Sequence, residues 1–332
     1  IAHLVCRLLL EKKKKKKHIN NKKIDAYVNN YGDAWISGPC GLYYYVDRQN
    51  RIIKVEENGE IPIEIDAPIS EFNSIAFDKN GYMYISSNES IYYSTYYADG
   101  FKLLKNINDG SLELTGYVTS LCFDKDNRLF VGTDSGVDLL SISENVFDGE
   151  DVDSDRGLEV LLYAERIEHS NQSSSNLPKQ KITCIEKDDN NYIWIGSQDQ
   201  GIFRYHNGNV VNISTDSGLS SSRINSIGVR NTAIRYVGTP IGIDKMVGLK
   251  VERTITSEDG LWSSNVKSVR WKEPNIILAG TMDKINQIIV DDVDNFYSTS
   301  LYSTNDSSED RNFQTYYIVN EKDKNISDDD LI

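Results

Sequence analysis

The sequence is poor in the residues that carry most catalytic and metal chemistry. Its four cysteines form no CxxC pair, and no histidine is spaced from them for zinc binding; they are Cys6, Cys40, Cys122 and Cys184. We therefore expect free, mostly buried thiols, which weakly favours a reducing compartment. The motifs GxSxG and HExxH and a phosphate-binding glycine loop are also absent, so we predict no catalytic residues.

Long hydrophobic runs are absent as well. The N-terminal LVCRLLLE is too short to span a bilayer, and its positive charge follows the apolar run, unlike a secretory signal. We therefore predict no membrane span in this sequence. The opening without methionine is interpreted as a fragment end.

Charge is unevenly distributed along the chain. Residues 1–23 hold nine basic residues and Glu11, a net +8 in a chain of −14, so the rest carries about −22. A body this acidic repels a phosphate backbone, so we predict no nucleic-acid partner. Residues 1–23 are interpreted as a solvated basic tail. The alternative is a nucleic-acid or anionic-membrane patch at Lys12–Lys17.

What the sequence does have is internal repetition. The segment ITCIEKDDN at 182–190 recurs six times in altered form, each time with a small residue at its third position. These residues are Ala26, Ser74, Ser120, Cys184, Ser226, Ser268 and Thr315, at spacings of 48, 46, 64, 42, 42 and 47 residues. A second motif, WIGS at 194–197, recurs as WISG, YISS, FVGT, YVGT and LAGT.

Most units contain 42–48 residues and four strand-like runs, such as ITCIEKD, YIWIGS, GIFRYH and VVNIST in the fourth. Such units are typical of β-propeller blades. Inner strands converge on a narrow axis, which favours small side chains. The aromatic residue of the second motif is expected to wedge between sheets, where one ring buries about 150–250 Å².

We therefore predict an all-β chain with a β-propeller at 24–320 and an acidic tail at 321–332. The four-stranded blades begin near 24, 72, 118, 182, 224 and 266, and an extra strand is predicted at 313–320. Six blades, with the terminal strand completing one of them, is the favoured closure. Seven is the alternative if the chain is a fragment.

The fourth unit, together with the following DSGLSSSRINSI, resembles the two-component regulator propeller repeat. That repeat reads I-x-S-I-x-x-D, W-I-G-T, G-[LI]-x-R-[FY] and D-G-L, and the resemblance covers roughly 24–320. Ser37 and Ser86 depart from it by replacing a glycine. The resemblance implies a sensor-type domain for carbohydrate fragments in the periplasm or outside the cell. A virion surface and the cytoplasm are the other locations left open.

The loops that join successive units are the predicted binding surface. In three of them a leucine (Leu177, Leu219 or Leu261) lies seven residues before the small inner-strand residue, which places these loops on one rim. The D-G-L turns are interpreted as caps, and the variable residues beside them as ligand candidates: Asp109, Asn176, Asp216, Ser217, Asp259 and Trp262. For Trp262, an inter-blade wedge is the favoured interpretation and stacking on a sugar ring is the alternative.

The longest spacing marks an insertion at 144–157, which contains DVDSDRG. Its alternating carboxylates resemble a calcium loop: Asp151, Asp153, Asp155 and Glu159. Arg156 replaces the glycine of such a loop, so an acidic surface loop is the favoured interpretation. Ca²⁺ is the one cofactor considered.

Together these features favour a non-catalytic propeller that binds a small-molecule or glycan ligand on one rim. A structural or adhesive propeller of a virion appendage or cell surface, with a protein partner, is the first alternative. The second is a propeller lyase or hydrolase, which would need three or more titratable residues converging at the channel mouth.

Overall fold

The structure is a computed structural model of the chain. It describes residues 25–28, 34–38, 41–46, 51–54, 72–95, 101–147, 159–272, 275–281, 284–290, 296–303 and 315–316. Side chains are described within 72–95, 101–146, 160–271, 275–281 and 285–290, and at Phe296. Both predicted tails lie outside these residues.

Within the described ranges, 26 strands form six sheets. The first sheet contains β1 (Asp25–Val28), β2 (Ala34–Gly38), β3 (Gly41–Val46) and β4 (Arg51–Lys54). The second contains β5 (Ser74–Phe77), β6 (Met83–Ser86), β7 (Ile91–Ser94) and β8 (Lys102–Leu103). The third contains β10 (Val118–Phe123), β11 (Arg128–Thr133), β12 (Val137–Phe147) and β13 (Glu159–His169), with β9 (Lys105–Asn106) beside β13.

The other three sheets follow the same order from inner to outer strand. The fourth contains β14 (Ile182–Lys187), β15 (Ile193–Ser197), β16 (Ile202–His206) and β17 (Asn209–Ile213). The fifth contains β18 (Ser226–Val229), β19 (Ile234–Gly238), β20 (Ile243–Val247) and β21 (Lys250–Ile255). The sixth contains β22 (Ser268–Lys272), β23 (Ile276–Gly280), β24 (Lys284–Val290), β25 (Phe296–Ser303) and β26 (Thr315–Tyr316).

The first strand of each sheet lies innermost and packs on the first strand of the next, in the order β1, β5, β10, β14, β18 and β22. This arrangement of antiparallel sheets is that of a β-propeller, so the predicted fold class is confirmed. Closure between the sixth and first sheets is not observed in the described part of the chain.

The small inner-strand residues link neighbouring sheets by hydrogen bonds. Ser74 Oγ accepts from Leu121 N at 3.0 Å, and Ser120 Oγ accepts from Ile185 N at 3.0 Å. Ser226 Oγ accepts from the backbone N of Val269 at 2.7 Å. Each hydroxyl therefore satisfies a buried backbone donor on the next inner strand, which an alanine would leave unpaired.

The aromatic residues of the second motif are buried between sheets. Tyr84, Phe130, Trp194 and Tyr236 are at most 1% exposed. Two residues after Trp194, Gly196 allows the next sheet to approach closely, because a Cβ there would lie 2.8 Å from Ile224 Cγ2. The motif therefore packs neighbouring blades together, and it recurs because neighbouring blades meet at the same kind of joint.

The long spacing after Ser120 appears as a long hairpin in the third sheet. β12 and β13 each have 11 residues, and residues 144–147 of the predicted insertion continue β12. Glu144 reaches the second sheet, where its Oε1 accepts from Tyr82 Oη at 3.3 Å. Tyr93 Oη accepts from Leu162 N at 3.0 Å, so the hairpin is fixed on its neighbour.

Two placements differ from the simplest interpretation of the repeat. In the first sheet Asp25, and not Ala26, lies opposite Ser37, because the pairing is shifted by one residue. At the other end, Thr315–Tyr316 of the predicted extra strand pairs antiparallel with β25 on the outer edge of the sixth sheet. Within the described residues, no helix has the length and hydrophobicity to cross a membrane.

Candidate functional site

Strand order places two sets of loops on one face. In the second to fifth sheets the turn between the second and third strands and the loop to the next inner strand lie at the same end. Backbone bonds tie these segments together: Ile224 N donates to Ser197 O at 2.9 Å, and Val266 N donates to Thr239 O at 3.0 Å. We call this end of the sheets the loop face.

The repeated residues of these loops have structural roles. Short 3₁₀ turns at Thr215–Ser217 and Ser257–Asp259 end at Gly218 and Gly260, whose φ angles are 99° and 93°. An L-residue rarely adopts this conformation, which explains the glycine of D-G-L. The leucine that follows is buried in each loop, as is Leu177. The interpretation of the D-G-L turns as caps therefore agrees with the contacts seen.

The residue after the leucine is fixed by a buried side chain on the third strand of the next sheet. Thr115 N donates to Asp138 Oδ2 at 2.7 Å, Ser220 N to Asp244 Oδ2 at 2.9 Å, and Trp262 N to Asn286 Oδ1 at 3.3 Å. In the fourth sheet the equivalent loop residue is Pro178, which has no N–H, and the equivalent strand residue is Phe203. The strand residue is therefore a hydrogen-bond acceptor in the three sheets where the loop residue has an N–H to donate, and an apolar residue in the sheet where the loop residue is proline.

The six predicted ligand candidates all lie in loops of the loop face. The side chains of Asp109, Asn176, Asp216 and Ser217 are exposed; Asp216 and Ser217 share one loop, and Asp109 and Asn176 lie in two others. Asp259 is only partly exposed and caps its loop, because its Oδ2 accepts from Thr256 N at 2.8 Å and its Oδ1 pairs with Arg253 at 2.8 Å. Its contacts favour a structural role.

Trp262 is the most prominent of these candidates. Its side chain is 43% exposed, whereas Trp194 between the sheets is 1% exposed. The backbone at Trp262 is fixed through Asn286, which is fully buried. The side chain of Trp262 therefore lies partly exposed on the loop face.

The inner strands carry an ion pair that the sequence did not reveal. Glu186 Oε1 on β14 lies 2.7 Å from Arg270 Nη1 on β22, so the pair crosses the intervening strand β18. Glu186, Gly228 and Arg270 hold the same register position, opposite Trp194, Tyr236 and Leu278. Because Gly228 adds no side chain between them, the carboxylate and the guanidinium can meet. Aligned repeats show the three positions but not their proximity.

Basic residues gather at the loop end of the same strands. Lys181 directly precedes β14, Arg223 lies three residues before β18, and Lys267 directly precedes β22. Burial lowers the pKa of Lys267, and the positive charge of Arg223 lowers it further. Tyr117 occupies the same place before β10 and is 53% exposed. We call Tyr117, Lys181, Arg223 and Lys267 the channel mouth.

The opposite end of the sheets holds a buried charge cluster. Asp188 Oδ2 accepts from Trp194 Nε1 at 3.0 Å and from Arg235 Nη2 at 2.9 Å. The Arg235 guanidinium lies 3.7 Å from the centre of the Trp194 ring, and desolvation lowers its pKa. All three side chains are buried, so the cluster links the fourth and fifth sheets and offers no surface for a ligand.

The remaining predicted site residues can be placed only in part. Asp151, Asp153 and Asp155 lie outside the described residues, as does the side chain of Glu159. In the described part of the chain no group of three histidine, cysteine or acidic residues is arranged to hold a metal ion. Cys122 and Cys184 form no disulfide in the described part of the chain. His206 lies on the far side from the loop face and packs on Tyr192, with ring centres 4.3 Å apart.

Comparison with known proteins supports the fold and the repeat. Residues 113–135 and 176–199 match the two component regulator propeller family. No curated protein matches the sequence. The structure is similar to virginiamycin B lyase from Staphylococcus aureus, with 11% identity, 83% of each chain covered and a TM-score of 0.57.

Two further solved structures are similar in fold. A streptogramin B lyase has 12% identity, covers 85% of this chain and 83% of its own, and has a TM-score of 0.58. The WD40 β-propeller domain of Doa1 has 12% identity, covers 86% and 90%, and has a TM-score of 0.51. These likenesses show a propeller fold. The family matches confirm the resemblance to two-component regulator propeller repeats.

Proposed function

We propose that the protein is a non-catalytic binding propeller that recognises a small-molecule or glycan ligand on its loop face. The observation that carries this proposal is that the repeated residues of the loops are buried, whereas the variable residues beside them are exposed. Repeated residues such as Leu219 and Leu261 are buried, while the variable residue Trp262 beside them is exposed. A loop fixed by buried anchors holds its exposed residues in place before a ligand arrives, which reduces the entropic cost of binding.

Trp262 and Tyr117 supply the surfaces that a sugar would use. Both are more than 40% exposed, and both lie on the loop face. An aromatic ring offers a flat apolar surface to the C–H face of a sugar, and its polar atom stays in contact with water. The nearby serine, threonine and asparagine side chains provide hydrogen bonds that would fix the orientation of the ligand.

A propeller lyase or hydrolase is the second candidate, because titratable residues do gather along the inner strands. Lys181, Arg223 and Lys267 lie at the channel mouth, and Glu186 pairs with Arg270 further along the inner strands. The two described histidines, His169 and His206, do not lie at the channel mouth. Incubation of the purified chain with each bound glycan, followed by chromatography of the products, separates the candidates, since a binding module leaves the glycan intact.

The family resemblance supports a periplasmic or extracellular location for this binding activity. Fractionation of the source cells with an antibody against the chain tests the location. Recovery from the cytosol alone would contradict it.

A glycan-array screen with the purified full chain tests the proposal, followed by calorimetry on Trp262→Ala. We expect at least tenfold weaker binding of the selected glycan by this variant. Val211→Ala is the matched control, because Val211 is exposed on β17, away from the loop face. Binding to no glycan or small metabolite, together with stable assembly with a protein partner, would favour the adhesive alternative and overturn the proposal.

A further inference from the structure

The channel mouth holds three basic residues on a strongly acidic protein, and the surrounding loops hold exposed carboxylates such as Asp199 and Asp216. The chain has a net charge of −14, yet Lys181, Arg223 and Lys267 occupy the loop ends of three successive inner strands. Lys181 and Arg223 hold equivalent places, three residues before Cys184 and Ser226. Lys267 directly precedes Ser268 and corresponds to Asn225, because Asn225 N donates to Gly238 O at 2.8 Å and Lys267 N donates to Gly280 O at 2.7 Å. Three blades therefore contribute one cation each to the same rim.

These cations are not neutralised by the protein in the described part of the chain. There, the side chains of Lys181, Arg223 and Lys267 form no ion pair or hydrogen bond. The inner strands contain two carboxylates, Glu186 and Asp25. Glu186 is already paired with Arg270, and Asp25 lies on β1 at the register of the inner serines.

The chain segments that carry Arg223 and Lys267 are in contact, because Asn225 Nδ2 donates to Val266 O at 2.6 Å. Lys267 is partly buried, and both burial and the charge of Arg223 disfavour its protonated form. Two cations held together without a counter-ion are the arrangement found where an anion binds, since the anion removes the repulsion. Arginine also presents a planar fork that pairs with two oxygens of a carboxylate or a sulfate.

We propose that the ligand of the loop face is an acidic saccharide, whose carboxylate or sulfate group is bound by Arg223 and Lys267 at the channel mouth. Lys181 adds long-range attraction, and Tyr117 stacks on the sugar ring. This inference rests on the proposed function and names the class of ligand. Charge-assisted hydrogen bonds are about twice as strong as neutral ones, so the anion would dominate both affinity and selectivity.

The test uses the full chain and three tetrasaccharides of similar size, with titration calorimetry at low ionic strength. The probes are a neutral galactotetraose, a tetragalacturonate and a sulfated galactotetraose. We expect at least one acidic probe to bind tenfold or more tightly than the neutral one. Affinity for it should also fall with added salt, since salt screens exposed charges. The two acidic probes distinguish a carboxylate from a sulfate.

Variants locate the site. Arg223→Gln with Lys267→Gln should weaken binding of the acidic probe at least tenfold, and Arg223→Lys with Lys267→Arg should retain most of it. The matched control removes the same two charges elsewhere, as Lys79→Gln with Lys250→Gln, since both lysines are exposed away from the loop face. Circular dichroism confirms that each variant is folded.

The outcomes separate the two proposals. Equal binding of neutral and acidic probes, or unchanged affinity after Arg223→Gln with Lys267→Gln, overturns the inference and leaves the proposed function in place. Binding of no saccharide, acidic or neutral, by the unmodified chain overturns both.

Discussion

The joint between the fourth and fifth sheets and the joint between the fifth and sixth solve one packing problem with different chemistry. At the first joint, Trp194 is covered by Arg235, whose charge is balanced by buried Asp188. At the second, Tyr236 stacks on Trp271 with ring centres 5.7 Å apart, and the Arg230 guanidinium lies 4.6 Å from the centre of the Trp271 ring. The first joint depends on paired charges, and the second mainly on stacked rings.

The same contrast extends to the smaller parts of the two joints. The inner-strand residue is Cys184 at the first joint and Ser226 at the second, and the motif glycines are Gly196 and Gly238. The loop above the first joint is anchored by Asp244, and the loop above the second by Asn286. One backbone plan thus accepts a charged or a neutral side chain as the acceptor that anchors the loop.

Removal of Arg235 should have the largest effect. Arg235→Met leaves Asp188 buried without its cation, which we expect to lower the free energy of unfolding by about 3–5 kcal/mol. Arg230→Met at the second joint should cost about 1 kcal/mol or less, because a partly exposed cation–π contact is weak and, among the described residues, no buried carboxylate loses its partner. Urea denaturation followed by tryptophan fluorescence measures both. A loss below 1 kcal/mol for Arg235→Met would show that the ion pair does not hold the joint.

Alanine at the two motif glycines sharpens the comparison. At Gly196 a Cβ would lie 2.6 Å from Cys184 Sγ and 2.8 Å from Ile224 Cγ2, whereas at Gly238 the nearest atoms are 3.0 and 3.1 Å away. We expect Gly196→Ala to cost about 2–3 kcal/mol and Gly238→Ala about 1 kcal/mol, from the cost of overpacking. Urea midpoints of the two variants give the order, and the reverse order would contradict the packing described.

Loss of the inner-strand hydroxyl tests the second joint alone. Ser226→Ala leaves the buried N–H of Val269 without its acceptor at 2.7 Å, and we expect a loss of about 1–2 kcal/mol. Hydrogen exchange of the Val269 amide should become faster than that of Leu121, whose acceptor Ser74 is unchanged. Equal protection of the two amides would count against the hydroxyl link.

The smallest effect should come from exchanging the loop anchor of the first joint for that of the second. Burial raises the pKa of Asp244, so its ionisation costs stability, and that cost appears as the pH rises from its unfolded pKa through its folded pKa. Asp244→Asn removes this titration. We expect the variant to gain stability relative to the unmodified chain between about pH 4 and pH 7. Urea denaturation of both proteins at about pH 4 and pH 7 measures this difference. A variant whose stability relative to the unmodified chain falls as the pH rises from one value to the other would contradict the prediction.

The sequence was sufficient to predict the strands and turns of each blade, but not which residues of different blades lie together around the axis. Small residues such as Ser120 and aromatic residues such as Trp194 recur at fixed spacing, and the structure gives each the predicted place between sheets. That information is local, because each strand and turn is set by its own residues. The cap glycines Gly218 and Gly260 were recognised for the same reason.

The channel mouth was missed because its residues are ordinary in sequence. Lys181, Arg223 and Lys267 are three basic residues in separate blades, and only the ring brings their strand ends together. The ion pair of Glu186 with Arg270 further depends on the missing side chain of Gly228 between them. Aligning the repeats column by column places Lys181 and Arg223 in one column with Tyr117 and Asn265, and Lys267 in another, so the basic cluster follows from the fold and not from one column.

The serine links between inner strands all point the same way along the chain, each oxygen receiving a hydrogen from the blade that follows. Such a head-to-tail contact does not limit the number of blades, since in each linked pair the acceptor belongs to one blade and the donor to the blade that follows. Gene duplication could therefore lengthen or shorten the array without inventing a new contact surface. The number of blades would then depend on the angle between neighbouring sheets, which is set by the size of the side chains at the joints. The serine links and this angle could therefore change independently.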